Sequence, residues 1–130
     1  MKARILLASA VALLALTGGA RERPETEPAA TAIGEPQSCL RLTDFSETRI
    51  RDDWTIDFIR GAGGKVWRNT LPHRCPGLRS DDAFSYKTSL SELCSTDIIR
   101  VLNRTGGDLQ QGAACGLGKF VPVELEKKTK

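Results

Sequence analysis

The sequence predicts a small, mainly β domain, built as a small antiparallel sheet or a partly open barrel with at most one short helix and two disulfides. Two runs rich in β-branched and aromatic residues, TIDFIR and KVWRNTL, flank a glycine cluster, which is typical of a β-hairpin. All seven aromatic residues and all four cysteines lie between residues 39 and 120. A unit of this size is close to the limit at which a hydrophobic core alone suffices, so cross-links are expected.

The 130 residues divide by composition into four segments. Residues 1–20 join a short basic start to the apolar run ILLASAVALLAL and a small-residue end, which predicts a helical signal peptide cut after Ala20. Residues 21–38 hold three prolines, four glutamates and no aromatic residue, and we expect a disordered linker there. The disulfide-linked β domain then covers residues 39–123, and residues 124–130 form a flexible tail.

The predicted leader also bears on location. Its apolar run is shorter than the roughly 20 residues of a membrane-spanning helix, so we expect an exported protein of the periplasm or the medium, with no transmembrane segment in the mature chain. The string LTGG resembles a lipobox, but Gly19 stands where the lipid-bearing cysteine belongs. We therefore expect no lipid anchor.

The charge balance favours no polyanionic partner. The whole chain carries a formal +3, but residues 21–130 hold 17 Lys and Arg against 16 Asp and Glu, a balance of +1. A mixed field of this kind gives no basic patch for phosphates. No nucleic acid is expected as a partner.

Within the domain, the hairpin spans Trp54 to Leu71. Alternation along its first strand places Ile56 and Phe58 on one face and Asp57 on the other. Residues 83–88 (AFSYKT) and 115–123 (CGLGKFVPV) predict further strands, with Pro122 at a sheet margin.

The segment between these two strands is ambiguous, because its apolar residues recur at helical spacing while its short polar residues favour a turn. We expect a helical turn at residues 90–94 and then a strand at 98–103, with a helix as the alternative for the latter.

The cysteines stand at positions 39, 75, 94 and 115 with no Cys-x-x-Cys pair, which argues against zinc-ribbon and thioredoxin-like chemistry. In an oxidising compartment they are expected to form two disulfides. Spacing leaves all three pairings open. We favour Cys75 with Cys94 and Cys39 with Cys115, because the second bond would join the first strand of the domain to the last. No metal site and no cofactor are expected.

The residues that could support catalysis do not form a recognisable set. His73 is the sole histidine and would have to recruit a serine and an aspartate from the 72–82 loop or the next strand, without a Gly-x-Ser-x-Gly elbow. The candidates are Ser80, Ser85, Asp81 and Asp82. The glycines before Lys65 lack the spacing of a phosphate loop and lie between two strands.

Two further groups of charged residues have plain structural interpretations. The acids Asp52, Asp53 and Asp57 suit solvated turns better than a calcium or glycosidase site. Five arginines near two tryptophans could line a nucleic-acid-binding face, but acidic residues alternate with them and core packing of the tryptophans is favoured. These residues are Arg41, Arg49, Arg51, Arg60, Arg68, Trp54 and Trp67.

Several spaced motifs are found across residues 39–123. They are Cys39-Leu40, IRDD with TIDF, WRNTL, CPGL, FSY, LCSTD and CGLGKF. With these motifs the chain resembles an uncharacterised family of small Gram-negative bacterial envelope proteins, often lipoproteins, catalogued as a domain of unknown function. The resemblance implies a small β-rich disulfide-linked domain, and it brings no activity or site residues.

The sequence thus favours a non-catalytic exported domain that binds an envelope protein or a small ligand, or that helps to maintain the envelope. The alternative is a small hydrolase or ligand-processing enzyme whose site lies in the loop at residues 72–82.

Overall fold

The computed structural model describes residues 25–61, 64–88 and 90–127, which form ten strands and one short helix. The predicted mainly β class is confirmed. The first half contains β1 (Ala30–Ala32), β2 (Cys39–Arg41), β3 (Glu47–Asp52), β4 (Thr55–Ile59) and β5 (Val66–Thr70). The second half contains α1 (Leu78–Asp81), β6 (Phe84–Tyr86), β7 (Glu92–Cys94), β8 (Ile98–Thr105), β9 (Asp108–Gly116) and β10 (Phe120–Leu125).

The strands pair into three antiparallel sheets. The largest has the order β1-β10-β5-β4-β3, the second joins β6-β8-β9, and the third is the pair β2-β7. The described strands therefore form small antiparallel sheets, as expected, and they do not close into a barrel.

The predicted hairpin is confirmed in β4 and β5. Their register sets Asp57 opposite Arg68 and Ile59 opposite Val66. Gly61 begins the turn at φ +59, a conformation that glycine adopts without steric cost, and residues 62–63 at the tip lie outside the described residues. Phe58 faces the core and Asp57 faces away from it, as alternation along the strand requires.

The core lies between the three sheets. The ring of Phe58 meets Phe45 and Phe120 edge-on, with centroids 5.0 and 5.2 Å apart, which is a preferred aromatic geometry. Leu40 on β2 faces Leu93 on β7, and both are buried. Each sheet thus contributes one apolar face to a single cluster.

A buried amide ties this core to the loop before β10. Asn69 donates from Nδ2 to the carbonyl oxygen of Gly118 at 2.7 Å, and its Oδ1 accepts from the Gly118 N–H at 2.8 Å. A Cβ on Gly118 would lie 2.1 Å from the carbonyl oxygen of Thr70. Only glycine lets the loop come this close to β5.

The segment expected to be a disordered linker is packed against the sheet over residues 25–38. β1 pairs with β10, and Gln37 forms a bridge with Phe120. The prediction overlooked this because the segment buries little apolar area itself and is held by backbone hydrogen bonds to a strand about 90 residues away.

Pro122 is not at a sheet margin, as expected, but within β10 between two neighbours. Its carbonyl oxygen accepts from the Ile33 N–H at 2.9 Å. Because proline has no N–H, Pro122 cannot donate the second hydrogen bond of this pair to Ile33. The ladder breaks there, β1 ends at Ala32, and the chain passes the proline ring at Gly34, where a Cβ would lie 2.9 Å from Pro122 Cγ.

Two element predictions in the second half are also corrected. The expected helical turn at 90–94 contains strand β7, because pairing with β2 outweighs a weak helical pattern. The expected strand at 115–123 is divided between the end of β9 and β10, which belong to different sheets. The strand expected at 98–103 is confirmed as β8, and the helix lies elsewhere, at Leu78–Asp81.

All four cysteines are in disulfides, but the favoured pairing is wrong: Cys39 bonds to Cys94 and Cys75 to Cys115. Cys39 and Cys94 lie directly opposite each other in β2 and β7. Cys115 is in β9 rather than in the last strand, so the argument for joining it to Cys39 fails. The two closed loops overlap over residues 75–94.

The remaining segment predictions fall at the chain ends. The signal peptide at 1–20 lies outside the described residues, as do residues 21–24 and 128–130. The expected tail is paired as far as Glu126, whose N–H donates to the Ala29 carbonyl oxygen at 2.8 Å. In the described part of the chain, no helix has the length and apolar character needed to cross a bilayer.

A candidate binding groove on the outer sheet face

The five-stranded sheet carries a second apolar patch on the face opposite the core. Val66 and Val123 are directly paired across β5 and β10, and each is less than a tenth exposed, yet neither belongs to the core cluster. Ile59 continues the same row on β4. This row of three branched side chains forms the floor of a groove on the outer face.

The groove has a volume of about 630 Å³, which is within the range of small-molecule sites. Its apolar lining is completed by Leu125 on β10 and by Ile33, which is 58% exposed at the rim. The described lining contains no His, Cys, Ser or Thr, so it offers no imidazole, thiol or hydroxyl nucleophile.

Beside the apolar row lies a buried ionic cluster formed by Arg51, Asp57 and Arg68. The Asp57 side chain is fully buried, and its Oδ2 accepts from Arg51 Nε at 2.8 Å. Arg68 donates from Nε to Oδ1 at 2.8 Å and from Nη2 to Oδ2 at 3.0 Å. Two guanidinium groups thus share one carboxylate, which leaves the cluster with a net charge of +1.

Cross-strand register explains why these charges meet. Arg68 is directly opposite Asp57 in β5 and β4, and the bulge in β3 between Ile50 and Asp52 displaces Arg51 from regular pairing. A buried carboxylate requires partners, and here both partners come from neighbouring strands. Arg51 also lines the groove, so part of the excess positive charge is presented to it.

The N-terminal segment packs against the same face. Arg68 Nη2 donates to the Pro28 carbonyl oxygen at 2.9 Å. Thr26 Oγ1 donates to Asp52 Oδ2 at 2.8 Å and lies 3.1 Å from Thr55 Oγ1. These contacts fix residues 26–28 beside the ionic cluster.

The rim of the groove carries charges of both signs. Glu47 accepts from Arg49 Nε at 2.8 Å, and this exposed pair adds little to stability. The described rim and walls together carry four cations and three carboxylates. The cations are Arg49, Arg51, Lys65 and Lys127, and the carboxylates are Glu47, Glu124 and Glu126. The described lining therefore carries a net charge of +1, and Arg51 is the least exposed of its four cations.

The structure does not assemble the predicted catalytic candidates. His73 is exposed, and within the described residues it makes no hydrogen bond to a serine or a carboxylate. The Ser80 hydroxyl donates to the Gly77 carbonyl oxygen at 3.3 Å, and Asp82 lies 4.0 Å from Arg79 Nη1. Ser85 is in β6, opposite Arg100 of β8. The alternative site at residues 72–82 gains no geometric support.

The neighbouring acids have structural roles. Asp53 Oδ1 accepts from the Arg79 N–H at 2.9 Å and Oδ2 from Arg74 Nη2 at 2.8 Å, so it anchors the start of α1. Asp52 Oδ1 accepts from the Trp54 N–H at 2.7 Å. Both acids lie at the β3–β4 turn but are partly buried and hydrogen-bonded, and the interpretation as a solvated turn is wrong for the buried Asp57.

The arginine and tryptophan residues do not form one face. Arg60 bonds to Asp44, and with Lys65 it lies over the buried Trp67 ring, at 5.8 and 5.0 Å from the centroid. Arg41 also pairs with Asp44. The expected core packing holds for Trp67, which is 3% exposed.

One cluster has the spacing of a metal site but not the chemistry. Sγ atoms of Cys39 and Cys94 lie within 4.8 Å of a Glu92 oxygen. Both sulfurs are joined in a disulfide and cannot act as thiolates. The described residues therefore provide no ligand set here.

Comparison with family models, with curated proteins and with solved structures finds no match to this chain. The assignment of a site consequently depends on the geometry of the groove and its ionic cluster.

Proposed function

We propose that the protein is a non-catalytic, exported binding domain that holds an anionic amphiphile, an apolar chain with a negatively charged head group, in the outer-face groove. The observation that carries the proposal is that one groove is lined both by an apolar floor and by Arg51, a member of a buried cluster with a net positive charge. The apolar chain would cover Val66, Val123 and Ile59, and the head group would lie at Arg51.

Arg51 is suited to this role because its orientation is fixed before a ligand arrives. Its Nε is bound to Asp57, and its side chain is only 18% exposed. Preorganisation of this kind lowers the entropic cost of binding. A guanidinium also hydrogen-bonds carboxylates and phosphates at two points.

Export to the periplasm is part of the same proposal. Two disulfides are typical of oxidising compartments, and the leader-like residues 1–20 agree with secretion. The resemblance to small envelope proteins of Gram-negative bacteria points to the same place. An amphiphile-binding role suits a compartment bounded by two membranes.

The proposal is tested by titrating the purified protein with sodium dodecanoate, dodecanol and dodecyltrimethylammonium below their micellar concentrations, using calorimetry. We expect dodecanoate to bind best. The Arg51→Gln variant should weaken dodecanoate about tenfold or more, the usual effect of removing a charge-assisted hydrogen bond. Dodecanol binding should be nearly unchanged by the same substitution.

Two matched controls separate the groove from the rest of the surface. Val123→Thr places a hydroxyl on the floor and should weaken dodecanoate binding about fourfold. Its control is Val121→Thr, on the same strand and face but outside the lining, which should leave dodecanoate binding unchanged. Arg104→Gln removes an exposed arginine on β8 and should change nothing. Equal affinity for all three amphiphiles, or no saturable binding, refutes the proposal.

A further inference from the structure

An open seam separates the five-stranded sheet from the three-stranded sheet on the side where their edge strands β3 and β6 approach each other. β3 pairs only with β4 and β6 only with β8 among the described strands. Two cavities of about 320 and 210 Å³ lie along this seam, and both are lined by Thr48 and Phe84. They form one slot between two strand edges.

The bottom of the slot consists of partly buried hydrophobic residues that pack against the core cluster. Seven partly buried hydrophobic residues pack against the core cluster, and five of them line the slot. These five are Leu42, Phe45, Ile50, Phe84 and Tyr86. Most of the partly covered apolar residues that pack against the core therefore lie along this slot.

We infer that the seam binds an extended segment of another polypeptide, added as a strand beside β3, with apolar side chains at alternate positions and basic residues at its ends. An edge strand offers unpaired backbone groups for strand addition, and alternate side chains of the added segment enter the pockets below. Antiparallel pairing with β3, the longer edge at Glu47–Asp52, gives the larger number of hydrogen bonds.

The charges along the slot determine the chemistry of this partner. The charged side chains in its described lining are both acidic: Glu47 at the end beside Tyr86, and Asp82 at the end beside Ala83. Each has an arginine neighbour outside the lining, Arg49 and Arg79, but both pairs are exposed, so a basic residue of the partner can compete for the carboxylates. Lysine or arginine at each end of the added strand would complement them. An acidic segment of the same shape would meet like charges at both ends.

The seam is independent of the proposed groove. Glu47 touches both, but the apolar floors share no residue and lie on opposite faces of the five-stranded sheet. A peptide at the seam and an amphiphile in the groove can therefore be tested separately.

The test uses a nine-residue peptide with valine at every second position and lysine at both ends, added to isotopically labelled full-length protein and followed by amide NMR. We expect saturable shifts in β3 and β6, with a Kd of about 1 mM or tighter. Thr48→Lys, which places bulk and positive charge in the slot, should weaken binding at least tenfold. Thr31→Lys, on the opposite edge strand β1, is the matched control.

Two altered peptides distinguish strand addition from simple apolar adhesion. N-methylation at alternate residues removes the backbone donors of one edge and should abolish the shifts. Glutamate in place of the terminal lysines should weaken binding several-fold. The inference is overturned if the methylated peptide binds as well as the parent, if shifts occur only outside β3 and β6, or if none approaches saturation by about 10 mM.

Discussion

The substitution Asp57→Asn removes the only negative charge from the buried ionic cluster while keeping the shape of the side chain. In the native protein the carboxylate accepts three hydrogen bonds, two at 2.8 Å and one at 3.0 Å, from Arg51 and Arg68. Asparagine retains one acceptor oxygen and places an amide donor against a guanidinium donor. Two positive charges then lie together without a counter-charge.

The expected cost follows from the burial of these groups. Removing one partner of a buried ion pair typically costs about 3–5 kcal/mol. The side chains of Arg51 and Arg68 are 18% and 11% exposed, so water can partly hydrate them once the carboxylate is gone. We therefore expect a loss at the lower end of this range, about 3 kcal/mol. Urea denaturation with the disulfides intact measures this loss as a lower midpoint at an unchanged m-value.

The matched control is Asp44→Asn, which removes a carboxylate that pairs with two exposed arginines, Arg41 and Arg60. Arg60 is 56% exposed, so the loss should be about 0–1 kcal/mol and should shrink in high salt. Replacing Asp57, Arg51 and Arg68 together by leucine or methionine should restore most of the stability. A loss below about 1 kcal/mol for Asp57→Asn would show that this cluster is effectively solvated and would refute the reasoning.

Three further outcomes follow from the fold. Replacing both cysteines of the Cys39–Cys94 bond by serine should lower the unfolding free energy by about 4 kcal/mol in denaturant titrations, because the bond closes a loop across a separation of 55 residues. Gly118→Ala should cost about 3 kcal/mol by the same measurement, since its Cβ would lie 2.1 Å from a backbone oxygen, whereas Gly116→Ala, with open space around it, should cost little. Thr26→Val should lower the thermal midpoint by a few degrees through the loss of about 1 kcal/mol of hydrogen bonding, and an unchanged midpoint would mean that the N-terminal segment contributes no stability.

The hairpin was predictable because its register is local. Positions 57 and 68, and likewise 59 and 66, are equally far from the centre of the glycine turn, so folding about that turn pairs them. The same symmetry could have identified Asp57 opposite Arg68 as an ion pair. Sequence reasoning instead grouped Asp57 with the exposed acids, because nothing in its neighbourhood shows that β3 and residues 26–28 cover it.

Non-local pairing accounts for most of what could not be predicted. β1 pairs with β10, and β2 pairs with β7, although the strands of each pair are more than 50 residues apart in sequence. Neither pairing can therefore be recognised from the local sequence pattern. The disulfide pairing depends on these contacts and was wrong for the same reason. The helix α1 has four residues, which is too short to show a helical period. The groove was missed because its floor joins the hairpin residues Ile59 and Val66 to Val123 on β10, which is distant in sequence.

Because β1 lies beside β10, the C-terminal end of the described chain lies at the groove, whereas Thr26 at the other end bonds to Asp52 and Thr55, which do not line it. The Ala29 carbonyl oxygen is 2.8 Å from the Glu126 nitrogen, and Lys127 lines the groove itself. A purification tag or linker at the C-terminus would begin within a few residues of Lys127, close to the proposed site, and should be removed before any binding measurement. An internal tag inserted at Gly106–Gly107 avoids the difficulty, because the described residues of that hairpin do not line the groove.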